Sequence, residues 1–152
     1  MQYSKQGLAL TEGFEGLKTF AYKPFPTDPW TCGFGHTKGV TASTTCDEAL
    51  AEQWLLEDVA DAEAAVNRLV HIAMSQEEFD SLVDFCFNLG IGNFAGSTLL
   101  KLLNARDIEG AANEFAKWDR AGGVEVAGLL KRRLAEKALF TLGADFTMKP
   151  AP

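Results

Sequence analysis

Between Thr45 and Leu69 the chain places Leu50, Trp54, Leu55, Val59, Ala62, Val66 and Leu69 at helical spacing, with acids in the gaps. Thr45, followed by Asp47 and Glu48, supplies the polar opening such a helix needs. At 1.5 Å per residue, a helix of about 24 residues spans roughly 36 Å. That is long enough to connect two lobes, and it organises everything on either side of it.

Before it, Ser4 is placed to cap a short helix carrying Leu8, Leu10 and Phe14, which stops near Glu15-Gly16. From Thr19 to Val40 aromatic and β-branched residues alternate with Pro, Gly and Thr-Asp, a pattern of short strands and tight turns. After it, Ser75-Gln76-Glu77-Glu78 is a capping box opening a strongly apolar helix through Leu89, ended by Gly90 and Gly92. Ser97 starts a helix through Leu103, and Asp107 one through Trp118. Ala121-Gly122-Gly123 turns the chain into a basic helix from Leu129 to Leu142, followed by a fraying tail, FTMKPAP. The predicted fold is α+β in one domain over 1–152. A β-hairpin N-terminal lobe covers about 1–45, a bridging helix about 46–70, and an all-α C-terminal lobe about 71–145. A cleft between the lobes is the expected ligand site.

Charge narrows the partners. The chain carries −7 overall, but residues 47–84 hold eleven acids against the single Arg68, a net −10. A nucleic-acid binder needs a basic face to displace counterions, so no nucleic-acid partner is expected. With 47% apolar residues the chain is expected to be ordered, and no apolar run approaches the roughly 20 residues of a membrane span. The N-terminus MQYSKQGLALTEGFEG lacks the basic and apolar regions of a signal peptide. Cys32, Cys46 and Cys86 form no C-x-x-C and sit with only two histidines, so no metal and no cofactor is expected. Buried free thiols are the reading, with a Cys32–Cys46 disulfide after release as the alternative.

The stretch TEGFEGLKTFAYKPFPTDPWTCGFGHT, residues 11–37, holds the candidate chemistry. Glycosidic cleavage needs a carboxylic acid to protonate the leaving oxygen and a second group to hold water or stabilise positive charge. Glu15 lies where a helix gives way to a strand, with Phe14, Leu17 and Phe20 as neighbours that could desolvate it. Glu12 sits one turn earlier on the same helix. Spacing does not choose between them.

The motif E-G-L-K-x-F-A-Y-K…W-T-C-G-F-G-H-T resembles the phage lysozyme (endolysin) family, glycoside hydrolase family 24. S-Q-E-E-F-D-S-L-V-D-F-C-F-N-L-G, F-A-G-S-T-L-L-K-L-L-N, A-A-N-E-F-A-K-W, A-G-G and G-L-L-K-R-R-L-A-E are similar to it in the same order, over roughly residues 5–142. The resemblance implies a two-lobe lysozyme-like fold and muramidase activity on the β-1,4 bond between N-acetylmuramic acid and N-acetylglucosamine, by an inverting displacement. It selects Glu15, in the E-G-L motif, as general acid. Thr31 matches the threonine that positions the attacking water. The aspartate of the first turn would fall at Pro24. Asp28, the one acid in K-P-F-P-T-D-P, is expected to take its place in a rebuilt hairpin, against the alternative of an Asx-type turn before Pro29. Thr37, Phe87 and Ser97 match sugar-contacting positions, Phe87 reading equally as core, with Asn113 a weaker fourth. His36 reads as a structural histidine paired with an acid of the bridging region.

The implied partners are peptidoglycan glycan strands and a holin. The protein would be a monomer held in the host cytoplasm until holin-mediated release, then act in the periplasm. Two rivals stand beside this reading. A lytic transglycosylase would use the sugar's own 6-hydroxyl and one carboxylate. A non-catalytic wall-binding or membrane-disrupting protein would use the basic helix of Lys131, Arg132, Arg133 and Lys137, beside Leu130, Leu134, Ala138 and Leu139; packing of that helix against the C-terminal lobe is the preferred reading.

Overall fold

The computed structural model describes residues 1–148. Helix α1 covers Lys5–Glu15 and begins where Ser4 makes it begin. The Ser4 hydroxyl oxygen accepts from the N–H groups of Gln6 (3.1 Å) and Gly7 (3.3 Å), and the hydroxyl itself donates to Asp80. Contacts divide the chain into two compact units, Leu8–Ala60 and Met1–Gly7 with the chain from Asp61 onward. Both divisions fall inside helices.

In the Leu8–Ala60 unit, β1 (Lys18–Tyr22) runs antiparallel to β2 (Thr31–Gly33), with Lys18 opposite Gly33 and Tyr22 opposite Thr31. Five residues face three, so β1 bulges. On the other edge of β1 the chain returns through Thr44–Cys46. Ala21 N–H donates to Thr44 O and Cys46 N–H to Thr19 O, both at 3.0 Å, and Phe20 bridges Thr45. That use of Thr45 explains a shifted helix start. The long helix α2 is Glu48–Leu69, 22 residues, and its cap is Asp47, whose Oδ1 accepts from Leu50 N–H at 2.8 Å. Ala51, Leu55 and Val59 are buried with Cys32 and Phe34.

The other unit is mostly helical. The capping box forms as expected. Ser75 Oγ accepts from Glu78 N–H, and Glu78 Oε2 accepts from Ser75 N–H at 2.7 Å, opening α3 (Gln76–Leu89); such a cap is worth about 1 kcal/mol. A short helix the sequence reading missed, α4 (Ile91–Ala95), follows Gly90 directly. Then come α5 (Thr98–Asn104) and α6 (Ile108–Glu114), continued by a 3-10 turn at Phe115–Lys117. Phe85 meets Phe115 edge-on at 5.3 Å and Trp118 at 5.9 Å, and Phe115 meets Phe140 at 5.4 Å. With Phe79, Leu82, Leu99 and Leu103 these form the core, each fully buried side chain contributing about 1.5–3 kcal/mol.

Two expectations change here. The Ala121-Gly122-Gly123 turn is a true hairpin, β3 (Arg120–Ala121) against β4 (Val124–Glu125). Gly122 and Gly123 have φ of 58° and 81°, as a two-residue hairpin turn demands. The final helix α7, Ala127–Gly143, packs on α3 through its charges rather than through Leu134. Arg132, Arg133 and Glu136 are buried, whereas Leu134 is 50% exposed. Arg132 bonds Asp84 at two points (2.9 and 2.7 Å), and Arg133 bonds Glu136 (2.7 Å) and Asn88 (2.8 Å). Two of the four cations of this helix are thus interior, and the helix packs against the C-terminal helices as preferred. Of the tail, Asp145–Met148 forms a turn, with Met148 N–H donating to Asp145 O at 3.2 Å; residues 149–152 lie outside the described residues.

Candidate active site

Glu15 is the last residue of α1 and is partly buried. A Cβ built on Gly35 would lie 2.9 Å from Glu15 Oε2, so the carboxylate rests against the bare α-carbon of the G-F-G-H turn. Gly35 has φ +77°, and a side chain there would meet both backbone strain and the carboxylate. Glycine therefore holds the space the acid occupies. This contact was missed from the sequence, where Phe14, Leu17 and Phe20 stood as the acid's neighbours. Phe20 is in fact 72% exposed and Leu17 36%. The signal available was the second glycine of G-x-G.

Glu12 has a different setting. Its Oε1 is buried without a hydrogen-bond partner, and burial, followed by the charges of Glu52 and Glu48, pushes its carboxyl above the ordinary range. The two glutamates are three positions apart, yet one faces the glycine turn and the other a pair of like charges.

Thr31 opens β2 and is buried; its hydroxyl donates to Pro29 O at 3.2 Å, leaving the oxygen as an acceptor. Asp28 lies in the loop between β1 and β2. Its Oδ2 accepts from Phe25 N–H at 3.1 Å while Asp28 N–H donates to Phe25 O at 3.0 Å. One carboxylate oxygen thus closes the turn that Pro24, Pro26 and Pro29 shape. Phe25, at its tip, is 69% exposed.

His36 is held from three sides. Nδ1 lies 2.8 Å from Asp58 Oδ2 on α2, the ring stacks on Trp54 at 4.6 Å, and the backbone exchanges two hydrogen bonds with Cys32. The expected acid of the bridging region is Asp58. The Trp54 stack was not anticipated. It fixes the turn carrying Gly35, because Gly33 also packs tightly on Trp54 and Ala51, 3.2–3.3 Å from where a Cβ would stand.

Thr37 follows directly and is exposed. The remaining sugar-site candidates belong to the second unit. Phe87 is half-buried on α3. Ser97 is buried as the cap of α5, accepting from Leu100 N–H (3.1 Å) and donating to Phe94 O (2.7 Å). Its hydroxyl proton is already used. Asn113 accepts from Lys137 Nζ at 2.9 Å. Among the described residues no group of three or more His, Cys, Asp or Glu could hold a metal ion, and no helix is long and apolar enough to cross a membrane.

Residues 12–136 match the phage lysozyme family profile. The endolysin of Bacillus phage B103 is 42% identical over 145 residues, covering 94% of this chain and 55% of that protein, so the chain spans about half the length of that relative. The endolysin of Acyrthosiphon pisum secondary endosymbiont phage 1 is 39% identical, with 92% and 98% covered. The muramidase domain of SpmX from Asticaccaulis excentricus superposes with a TM-score of 0.85 at 35% identity, covering 91% of this chain and 97% of that one. A lysozyme-like arrangement of helices and a small hairpin, an E-G-L glutamate seated against a G-x-G-H turn, and these likenesses place the chain in the phage lysozyme family.

Proposed function

We propose that this chain is a phage endolysin that hydrolyses the β-1,4 bond between N-acetylmuramic acid and N-acetylglucosamine in peptidoglycan. The observation that carries the reading is the seat of Glu15 on Gly35 in a chain of this family. Glu15 donates a proton to the leaving glycosidic oxygen, and water attacks the anomeric carbon. Thr31, with its oxygen available as acceptor, and Asp28 hold that water; Thr37, Phe87 and Ser97 contact the glycan. In this reading the protein acts as a monomer on periplasmic wall after passing a holin. Prompt lysis of cells expressing it alone would remove the holin requirement.

One observation favours a second reading. Asp28 spends an oxygen on Phe25 N–H, and the alternative position is Pro24. A lytic transglycosylase, needing no water-holding carboxylate, fits that arrangement. Digesting Gram-negative peptidoglycan with wild type, Glu15→Gln and Asp28→Asn, and identifying the products by mass spectrometry, separates the two. Reducing muropeptides lost in both variants establish the two-carboxylate hydrolase. Asparagine keeps an acceptor for Phe25 N–H, so its loss reports charge rather than turn collapse. Anhydro products from wild type establish the transglycosylase, and activity surviving Glu15→Gln removes Glu15 from either mechanism.

A further inference from the structure

Cys32 and Cys46 are a pair of thiols in contact outside the proposed chemistry, and their surroundings describe a modification site. Their Sγ atoms lie 3.5 Å apart, and both point at the same carbonyl, Lys18 O, at 3.5 and 3.6 Å. Cys32 precedes Gly33 at the end of β2, and Cys46 lies on the return segment bonded to Thr19. Strand β1 runs between these two segments, and its first carbonyl, that of Lys18, collects both thiols. Cys32 is fully buried and Cys46 partly exposed, so one sulfur is reachable from solvent and the other only through the first. Cys86, the third thiol, is buried in α3, in the other unit.

We propose that Cys32 and Cys46 form an intramolecular disulfide when the protein leaves a reducing compartment for an oxidising one, stapling the loop 33–45 that carries Gly35, His36 and Thr37. The sulfurs, 3.5 Å apart, need to close by about 1.5 Å to reach a bond length of about 2.05 Å. The oxidant is an external disulfide, small-molecule or an oxidoreductase. Cys46 loses its proton to solvent and its thiolate attacks the external disulfide; that bond breaks, one external thiol leaves, and Cys46 carries a mixed disulfide. Cys32 then loses its proton and attacks Cys46 Sγ, expelling the second external thiol. Two protein thiols are oxidised and one external disulfide is reduced to two thiols.

The electrostatics make this a slow, structural bond rather than a redox catalyst. Burial, the hydrogen bond and proximity of Cys32, and the charge of Asp47 push the Cys46 thiol up to about 11, against a lowering by the Gly33 backbone N–H. Near neutral pH only on the order of 10⁻⁴ of Cys46 is thiolate, so closure is slow and waits on the external disulfide met after transfer.

The test uses the full chain and oxidised glutathione as the probe, in mildly alkaline buffer, followed by non-reducing digestion and mass spectrometry. A Cys32–Cys46 crosslinked peptide, with Cys86 still free, is the expected result. The oxidised protein then melts roughly 5–10 °C above the reduced one, the gain expected from closing a loop of this size. Cys46→Ser, altering only the partly exposed sulfur, melts at one temperature under both conditions. Recovery of glutathione-capped Cys46 without the crosslink, of three free thiols, or of chains joined only to one another overturns the proposal. The readout is independent of wall cleavage, so a failed activity assay leaves it intact.

Discussion

Replacing Gly35 with alanine separates two effects that one glycine combines. At φ +77° an alanine costs about 1–2 kcal/mol of backbone strain. Its Cβ would also stand 2.9 Å from Glu15 Oε2, closer than real Cβ contacts run, so the carboxylate must move by several tenths of an ångström. Displacements of that order in a catalytic group cost up to about 100-fold in rate. Gly39→Ala is the control, because Gly39 has φ +72° with nothing within 4 Å of its added Cβ. Both variants should lose similar stability, about 2–8 °C in Tm at roughly 2–4 °C per kcal/mol. Only Gly35→Ala should lose turnover, about 10- to 100-fold in kcat on purified peptidoglycan, with KM little changed because the binding residues stay in place. Thermal melts and initial rates on the two proteins suffice. Equal activity in the two alanine variants would refute the argument that Gly35 sets the position of Glu15.

Two further changes test the electrostatics. Glu12 has a folded-state pKa above its unfolded one, so it destabilises the fold at neutral pH; that penalty disappears as pH falls through the folded and then the unfolded pKa. Glu12→Gln should therefore raise stability by about 0.5–1 kcal/mol at neutral pH and leave it unchanged in acid, as urea titrations at both pH values would show. A constant difference across pH would mean that packing, not charge, separates the two side chains. Asp84→Asn removes one half of a two-point ion pair and leaves Arg132 buried beside Arg133 and Glu136. The expected loss is about 3–5 kcal/mol, read as a fall in denaturant midpoint; a loss below about 1 kcal/mol would show that the network shares its charge freely.

Local chemistry was legible in the sequence and tertiary chemistry was not. The caps at Ser4, Ser75, Ser97 and Asp107 appear where the sequence places them, because a cap needs only residues within one turn. The β3–β4 hairpin was also within reach. Its Gly122-Gly123 pair reads as a turn, but the flanking strands are only two residues each, too short to show a strand pattern. Thr45 could not be judged locally, since its use as a bridge to Phe20 depends on a strand 25 residues earlier. Helix α7 is the sharpest case. A hydropathy pattern assigns Leu134 inward and Arg133 outward, but Asp84, Asn88 and Phe85 on α3 offer Arg132 and Arg133 charge, hydrogen bonds and a ring face, and the order reverses.

The two glutamates of α1 show what that limit means for function. Helical spacing makes Glu12 and Glu15 near equals, and the family resemblance prefers Glu15 by motif alone. The structure separates them by neighbours drawn from distant sequence: Glu48 and Glu52 of α2 crowd Glu12 with like charge, while a glycine twenty residues on leaves Glu15 an open seat. That seat exists only because the turn is pinned from behind. His36 is clamped by Asp58 and Trp54, and Gly33 is pressed on Ala51 and Trp54, so α2 supports the turn that receives the end of α1. A glutamate becomes a candidate general acid here through a chain of supports running from one helix through a glycine turn to another. Weakening the His36 clamp should therefore disturb Glu15 as surely as touching Gly35 does, without altering Glu12.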